Sequence, residues 1–235
     1  MYRHLDAAKV VETSERLAAR VKERFPDASL SRLTAELVTV AQQSAERATE
    51  IARPHWPLRA AAGAFILLML GGLGAGLLHL DIEWRLRDIG SLVQFIEAGT
   101  NEIVLIGAAA FFLITVEQRY KRRRALTALH ELRSLAHIVD MHQLTKDPDR
   151  LRRGVQGGDT DSSPERPMTS FELSRYLDYC SETLAVIGKV AAVYAQSFED
   201  EAALTAVDEI EDLTTGLSRK IWQKLSILDA NRRSD

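Results

Sequence analysis

The chain has 235 residues, enough for one or two domains, and its 46% hydrophobic share with only 6% aromatic residues favours helices. A net charge of −3 excludes a protein that binds nucleic acid through a general basic excess. The single cysteine, Cys180, excludes an internal disulfide and suits a reducing compartment. No apolar run lies near Met1, so we expect no cleavable signal peptide.

Residues 1–53 predict a cytoplasmic hairpin of two helices. In the first, apolar and small residues recur at steps of three and four, which places them on one face. Phe25-Pro26-Asp27 ends this helix, because proline cannot continue a helix interior. The second helix begins near Ser29 or Ser31 and ends at Arg53, and its inner face changes from leucines to alanines between Ala41 and Ala52.

Residues 54–59 form a short segment leading to a membrane. Its two prolines bias the residues before them toward extended backbone. Trp56 has the character of an aromatic-belt residue, with Arg53 and Arg59 beside it at the membrane surface. The alternative is an ordinary loop between helices.

Residues 60–80 are the first predicted transmembrane helix. Ala60 to Leu78 carries no charge, and its length as a helix matches the hydrocarbon thickness of a bilayer. In water such a segment would be apolar on every side, so only lipid or a very large core could cover it.

Residues 81–101 show helical spacing of Ile82, Leu86, Ile89 and Val93, which is typical of an amphipathic helix. We expect it to lie on the outer membrane surface. The alternative is a short helix that packs on a partner protein.

Residues 102–118 are the second predicted transmembrane helix, although Ile103 to Val116 is a short apolar run that could instead be buried or re-entrant. The basic cluster that follows decides between these interpretations, because cationic residues collect on the cytoplasmic side. Two spans place both termini in the cytoplasm. We assign the cluster to the membrane surface; it comprises Arg119, Lys121, Arg122, Arg123 and Arg124.

Small residues in the two predicted spans indicate close helix packing. Gly72 and Gly76 form a GxxxG motif in the first span, and Gly107 begins a small-residue cluster in the second. Such residues allow helix backbones to approach closely in lipid. The contact could form between the two spans or with a second subunit.

Residues 119–144 predict a basic juxtamembrane helix in the cytoplasm. It contains the one group of residues that suggests metal chemistry, namely His130, His137, Asp140 and His142. On a regular helix His142 points away from the other two histidines, so three of these residues cannot reach one metal ion. We therefore expect no metal and no cofactor.

Residues 145–168 predict a disordered linker, because glycine, serine, proline and scattered charges cannot bury enough apolar area. Residues 169–230 predict a C-terminal helical hairpin. Thr169 and Glu172 form a capping box at its start, with Met168 and Leu173 as the hydrophobic staple. Cys180 lies on the apolar face, so it is a core residue rather than a nucleophile.

The sequence therefore predicts an all-α membrane protein, with a two-span transmembrane hairpin and a cytoplasmic helical bundle. Its alanine- and arginine-rich composition suggests a bacterial inner membrane. We expect an oligomeric scaffold or interaction protein that contacts the bilayer and either itself or a protein partner, with no nucleic acid. A pore-forming or membrane-disrupting effector is the alternative, and an enzyme is third because no catalytic motif is evident.

Overall fold

The computed structural model describes residues 4–79, 89–146, 148 and 168–234, and every regular element in them is an α-helix. The prediction of an all-α fold is therefore confirmed for these residues. Six helices follow one another along the chain: α1 Ala7–Arg24, α2 Ser29–Ala52, α3 Trp56–His79, α4 Ile89–Leu144, α5 Ser170–Ser197 and α6 Glu201–Ser234. Residues 80–88 and most of the predicted linker lie outside the described residues.

The chain divides into two compact units. The first unit combines Met1–Ala52 with Arg124–Asp235, and the second is Arg53–Arg123. The second unit contains all the residues of the predicted transmembrane hairpin, and the first contains both predicted helical hairpins.

Local signals fix two helix starts in the first unit. The Asp6 carboxylate accepts a hydrogen bond from the Ala8 amide at 3.0 Å, which caps α1. At α5 the Thr169 hydroxyl accepts from the Glu172 amide at 3.2 Å, and the Glu172 carboxylate accepts from the Thr169 amide at 2.8 Å. The predicted capping box is therefore confirmed.

Helix α5 is the centre of the first unit's core, and it contacts α1, α2 and α6. Its side chains Leu177, Leu184, Ile187 and Tyr194 are fully buried. Two rows of apolar residues on one helix exceed what a single partner helix can cover, so the N-terminal hairpin and α6 share the task. The helices of the first unit thus bury the apolar rows of α5 between them.

The alanines of α2 allow it to lie close to its neighbours. Ala41 and Ala48 are 2% exposed, whereas Ala52 at the end of the helix is exposed. Small side chains shorten the distance between packed helices, which brings α2 close enough to contact α5.

Ion pairs attach α4 to the helices beside it in the first unit. Arg124 pairs with Glu50 of α2 at 2.7 Å, and Arg133 pairs with Glu209 of α6. Beneath these pairs Leu129, Leu132 and Val139 enter the same core. The part of α4 that belongs to the first unit is therefore packed into the helical bundle.

Cys180 is completely buried in this core, and burial raises the pKa of its thiol to about 12. Lys146 and Lys224 act in the opposite direction with smaller effect. A thiol that stays protonated at neutral pH is a poor nucleophile, so the interpretation of Cys180 as a core residue agrees with its environment.

Helix α4 shows one difference from the layout drawn from the sequence. It continues without interruption from Ile89 to Leu144, whereas the sequence suggested a boundary near residue 101 between an outer helix and a second span. No proline lies in this stretch, and Gly99 alone costs a helix only about 1 kcal/mol. Among the described residues, one stretch of helix, Gly99–Leu144, is long and apolar enough to cross a membrane.

The first prediction compares two helix glycines in the first unit. A Cβ at Gly216 would meet no atom within 4 Å, whereas one at Gly188 would lie 3.3 Å from the Thr214 hydroxyl across the α5–α6 contact. Gly216→Ala should stabilise the unit by about 0.8–1 kcal/mol through helix propensity. Gly188→Ala should stabilise the unit less, because the close contact of the new methyl group with the Thr214 hydroxyl offsets part of the gain in helix propensity.

The free energy of unfolding of both variants is measured by urea titration of the full chain in detergent. Labelling of Cys180 reports unfolding, because the thiol becomes accessible only when the core around it opens. Equal gains for Gly188→Ala and Gly216→Ala would contradict a tight α5–α6 contact at Thr214.

The second prediction concerns His142 near the end of α4. Its Nδ1 lies 3.2 Å from the Ser29 hydroxyl of α2, and burial, Lys146 and Arg32 lower its pKa below the ordinary 6.5. The fold therefore favours the neutral ring, and this stabilisation is complete above about pH 6.5 and is lost as the pH falls through the lowered pKa.

Unfolding free energies measured between pH 7 and pH 5 should fall more steeply for the wild type than for His142→Gln. His130→Gln, which removes an exposed histidine from the same helix, should keep the wild-type dependence. Parallel curves for wild type and His142→Gln would show that His142 contributes nothing to the pH dependence.

Candidate membrane interface

The predicted membrane-surface residues of the second unit come from two distant stretches of sequence. Arg53, Trp56 and Arg59 precede or begin α3, and the basic run of α4 begins at Arg119. The structure brings the two stretches together around one acidic side chain, Glu117.

The carboxylate of Glu117 accepts contacts from three groups. The His55 amide donates at 3.2 Å, the Arg59 guanidinium donates through Nε at 3.1 Å, and Lys121 Nζ lies at 3.2 Å. The side chains of Glu117 and Lys121 are only 11% and 14% exposed. The pair of Glu117 with Lys121 is therefore less screened by solvent than a surface ion pair, whereas Arg59, at 56% exposure, remains largely open to solvent.

Local helix geometry explains why these groups meet. Glu117 and Lys121 are four residues apart on α4, so their side chains are neighbours on one face. His55 stands at the start of α3, where its carbonyl accepts the first helical bonds from Leu58 and Arg59. A carboxylate at a helix N-terminus accepts a hydrogen bond from an otherwise unpaired amide. Its negative charge also interacts favourably with the positive end of the helix dipole.

An aromatic contact supports the same junction. The rings of His55 and Tyr120 lie 5.4 Å apart at an interplanar angle of 77°, an edge-to-face arrangement. The start of α3 is therefore fixed to α4 by a backbone hydrogen bond, an ion pair and a ring contact.

The basic residues differ in their surroundings, which the sequence could not distinguish. Lys121 is paired with Glu117, and Arg124, which belongs to the first unit, is paired with Glu50. Arg53 and Arg119 are exposed. Arg122 and Arg123 are also exposed, and Trp56 has 72% of its surface accessible.

Sequence reasoning missed Glu117, His55 and Tyr120 as members of this site. One feature of the sequence could have indicated Glu117. It is the only acidic residue between Ile103 and His130, and it precedes Lys121 by four positions, the spacing of an ion pair on a helix. The contact with His55 spans 62 positions, so no local pattern predicts it.

The predicted helix-packing glycines occupy open positions where the structure describes their surroundings. A Cβ at Gly72 or at Gly107 would meet no atom within 4 Å. The side-chain environment of Gly76 lies outside the described residues. Close packing at these glycines stays a prediction.

The histidines of α4 do not converge. His142 contacts Ser29, while His130 and His137 are exposed. In the part of the chain that the structure describes, no group of three or more His, Cys, Asp or Glu side chains is placed to hold a metal ion.

The arrangement joins exposed cations and an exposed tryptophan to two helices with apolar surfaces, a combination that suits the boundary between lipid and water. Comparison with family models, curated proteins and solved structures finds no match for this chain.

The third prediction tests the cluster at Glu117. Glu117→Gln removes the charge that Arg59 and Lys121 face, and we expect it to destabilise the second unit by about 1.5–3 kcal/mol, typical of hydrogen bonds to charged groups. The apparent melting temperature of the detergent-solubilised chain, followed by circular dichroism, should fall accordingly.

Glu12→Gln is the matched control, because Glu12 also pairs with an arginine four residues away but is 56% exposed. An exposed helical pair contributes about 0.3–0.5 kcal/mol, so this variant should melt close to the wild type. Indistinguishable melting of the two variants would show that Glu117 does not hold the junction.

Proposed function

We propose that the protein is a membrane-anchored, oligomeric helical scaffold of a bacterial inner membrane. A two-span hairpin formed by residues 60–80 and 102–118 anchors it, and both termini lie in the cytoplasm. The bundle formed by the first unit is then the part that contacts other copies or partner proteins.

The observation that carries this proposal is the apolar surface of the second unit. Large hydrophobic side chains of α3 and α4 are exposed on many sides, among them Leu67 at 71% and Phe111 at 73%. Burying one such side chain contributes about 1.5–3 kcal/mol, so a row of them exposed to water would be very costly. Lipid removes this cost because hydrocarbon tails are as apolar as the side chains.

The distribution of charge supports two spans with a cytoplasmic bundle. Basic residues stand before the first predicted span and after the second, which matches the cytoplasmic preference of Lys and Arg for both ends of the hairpin. The contact between the start of α3 and Glu117 supports the same arrangement, because it joins the two ends that a hairpin must bring together.

A scaffold agrees better with the described helices than a pore does. A water-filled path needs polar groups along a span. The hydroxyls of Thr100 and Thr115 instead donate to the carbonyls of Ile96 and Phe111 within α4. Exposed Met141 and Leu144 on the first unit offer apolar surface for contacts with another chain.

The fourth prediction is the topology of the hairpin. Reporter fusions at Gly90 and at Gly157 should report opposite sides of the membrane, because one lies between the two spans and the other after both. If both fusions report the cytoplasm, the second span does not exist and the hairpin is wrong.

Reconstitution separates the scaffold from the pore. A scaffold should give an assembly larger than a monomer by light scattering in detergent, with no conductance when the protein is incorporated into planar bilayers. Reproducible single-channel currents would overturn the scaffold in favour of the pore.

A further inference from the structure

The junction at Glu117 brings two exposed aromatic side chains to the same end of the second unit. Trp56, at the start of α3, has 72% of its surface accessible, and Tyr120 of α4 has 48%. His55 links them, because it precedes Trp56 in the chain and its ring lies 5.4 Å from the ring of Tyr120. The His55 amide also donates to Glu117 at 3.2 Å, so the start of α3 and this turn of α4 lie at one level along the two helices.

Large apolar side chains are exposed on both helices at the same distance from this level. Phe65 stands nine positions after Trp56 in α3, and Phe111 stands nine positions before Tyr120 in α4, which is about 14 Å along each helix. Phe65 is 44% exposed and Phe111 is 73% exposed. The surface of each helix therefore changes from polar to apolar over a similar length.

We propose that Trp56 and Tyr120 lie in the headgroup region of the cytoplasmic leaflet, so that this level of the hairpin, with Glu117, stands at the boundary between lipid and water. The inference rests on the proposed membrane anchoring and adds the depth of the hairpin and the two residues that set it. Tryptophan and tyrosine suit this region because each combines an apolar ring with a hydrogen-bonding group.

The headgroup region satisfies the aromatic rings and the ion pairs together. In water, the exposed rings would forgo the free energy that burial of their apolar surface supplies. In hydrocarbon, the charges of Glu117, Arg59 and Lys121 would be strongly disfavoured. At the boundary the rings contact lipid while Arg59, which is 56% exposed, stays hydrated.

The test measures the depth of Trp56 in the full-length protein reconstituted in phosphatidylcholine vesicles. Trp84→Phe/Trp222→Phe leaves Trp56 as the only tryptophan. Lipids that carry a nitroxide quencher at two known depths then give the distance of the indole from the bilayer centre. We expect about 12–20 Å, on either side of the hydrocarbon edge, which lies about 15 Å from the centre.

A second chain tests Tyr120 in the same way. Tyr120→Trp, combined with phenylalanine at positions 56, 84 and 222, places the only indole on α4. Its depth should agree with that of Trp56 within about 5 Å, the length of one helical turn. A larger difference would contradict a common level for the two side chains.

Trp222 provides the matched control, because it is 67% exposed and belongs to the first unit. In Trp56→Phe/Trp84→Phe it is the only tryptophan, and aqueous iodide should quench it while the lipid quenchers should not. Equal lipid quenching of Trp56 and Trp222 would overturn the assignment of Trp56 to the headgroup region.

The depth of Trp56 can contradict the proposal in two further ways. An indole closer than about 12 Å to the bilayer centre would lie in hydrocarbon, which would overturn it. Quenching of Trp56 by iodide alone, or by neither quencher, would also overturn it, because water or a partner protein would then surround the ring.

Alkaline carbonate extraction of the vesicles separates this inference from the proposed function. A protein that resists extraction but holds Trp56 outside the expected depth would overturn the depth assignment and leave the anchoring intact. A wild type that carbonate releases would overturn both.

Discussion

Burial of apolar surface is the constraint on which both units of this chain depend. The first unit satisfies it with protein: α5 is surrounded by α1, α2 and α6, and side chains such as Ile187 and Tyr194 are completely buried. The second unit leaves side chains such as Leu67 and Phe111 exposed. Helices of one chain therefore enclose a core in the first unit and present apolar surface in the second.

Several polar contacts of the second unit converge on Glu117. A carboxylate that is largely covered must be neutralised or paired, because burying an isolated charge is strongly disfavoured. Glu117 meets Arg59, Lys121 and the His55 amide, so its charge and the open donor at the start of α3 are satisfied together. An acid that would be costly alone thus becomes the junction of two helices.

Periodicity and caps predicted much of the fold because they are local. The apolar spacing of α1, α2, α5 and α6 and the capping box of Thr169 with Glu172 could all be read from the sequence. The continuity of α4 through residue 101 could not, because the polar residues there permit a helix without requiring one. Only half of the site was predicted: its cations form a local run, but the His55 amide that donates to Glu117 lies 62 positions away.

The value of a charged residue depends on its neighbours more than on its position in a basic run. Arg16 and Glu12 form a pair that is 75% and 56% exposed, and water and salt weaken it. Lys121 and Glu117 have the same spacing but are 14% and 11% exposed, so removing either charge leaves the other poorly solvated. Adjacent cations such as Lys121 and Arg122 therefore differ in their surroundings, because Lys121 is largely covered beside Glu117 and Arg122 is exposed, although the sequence presents them as one cluster.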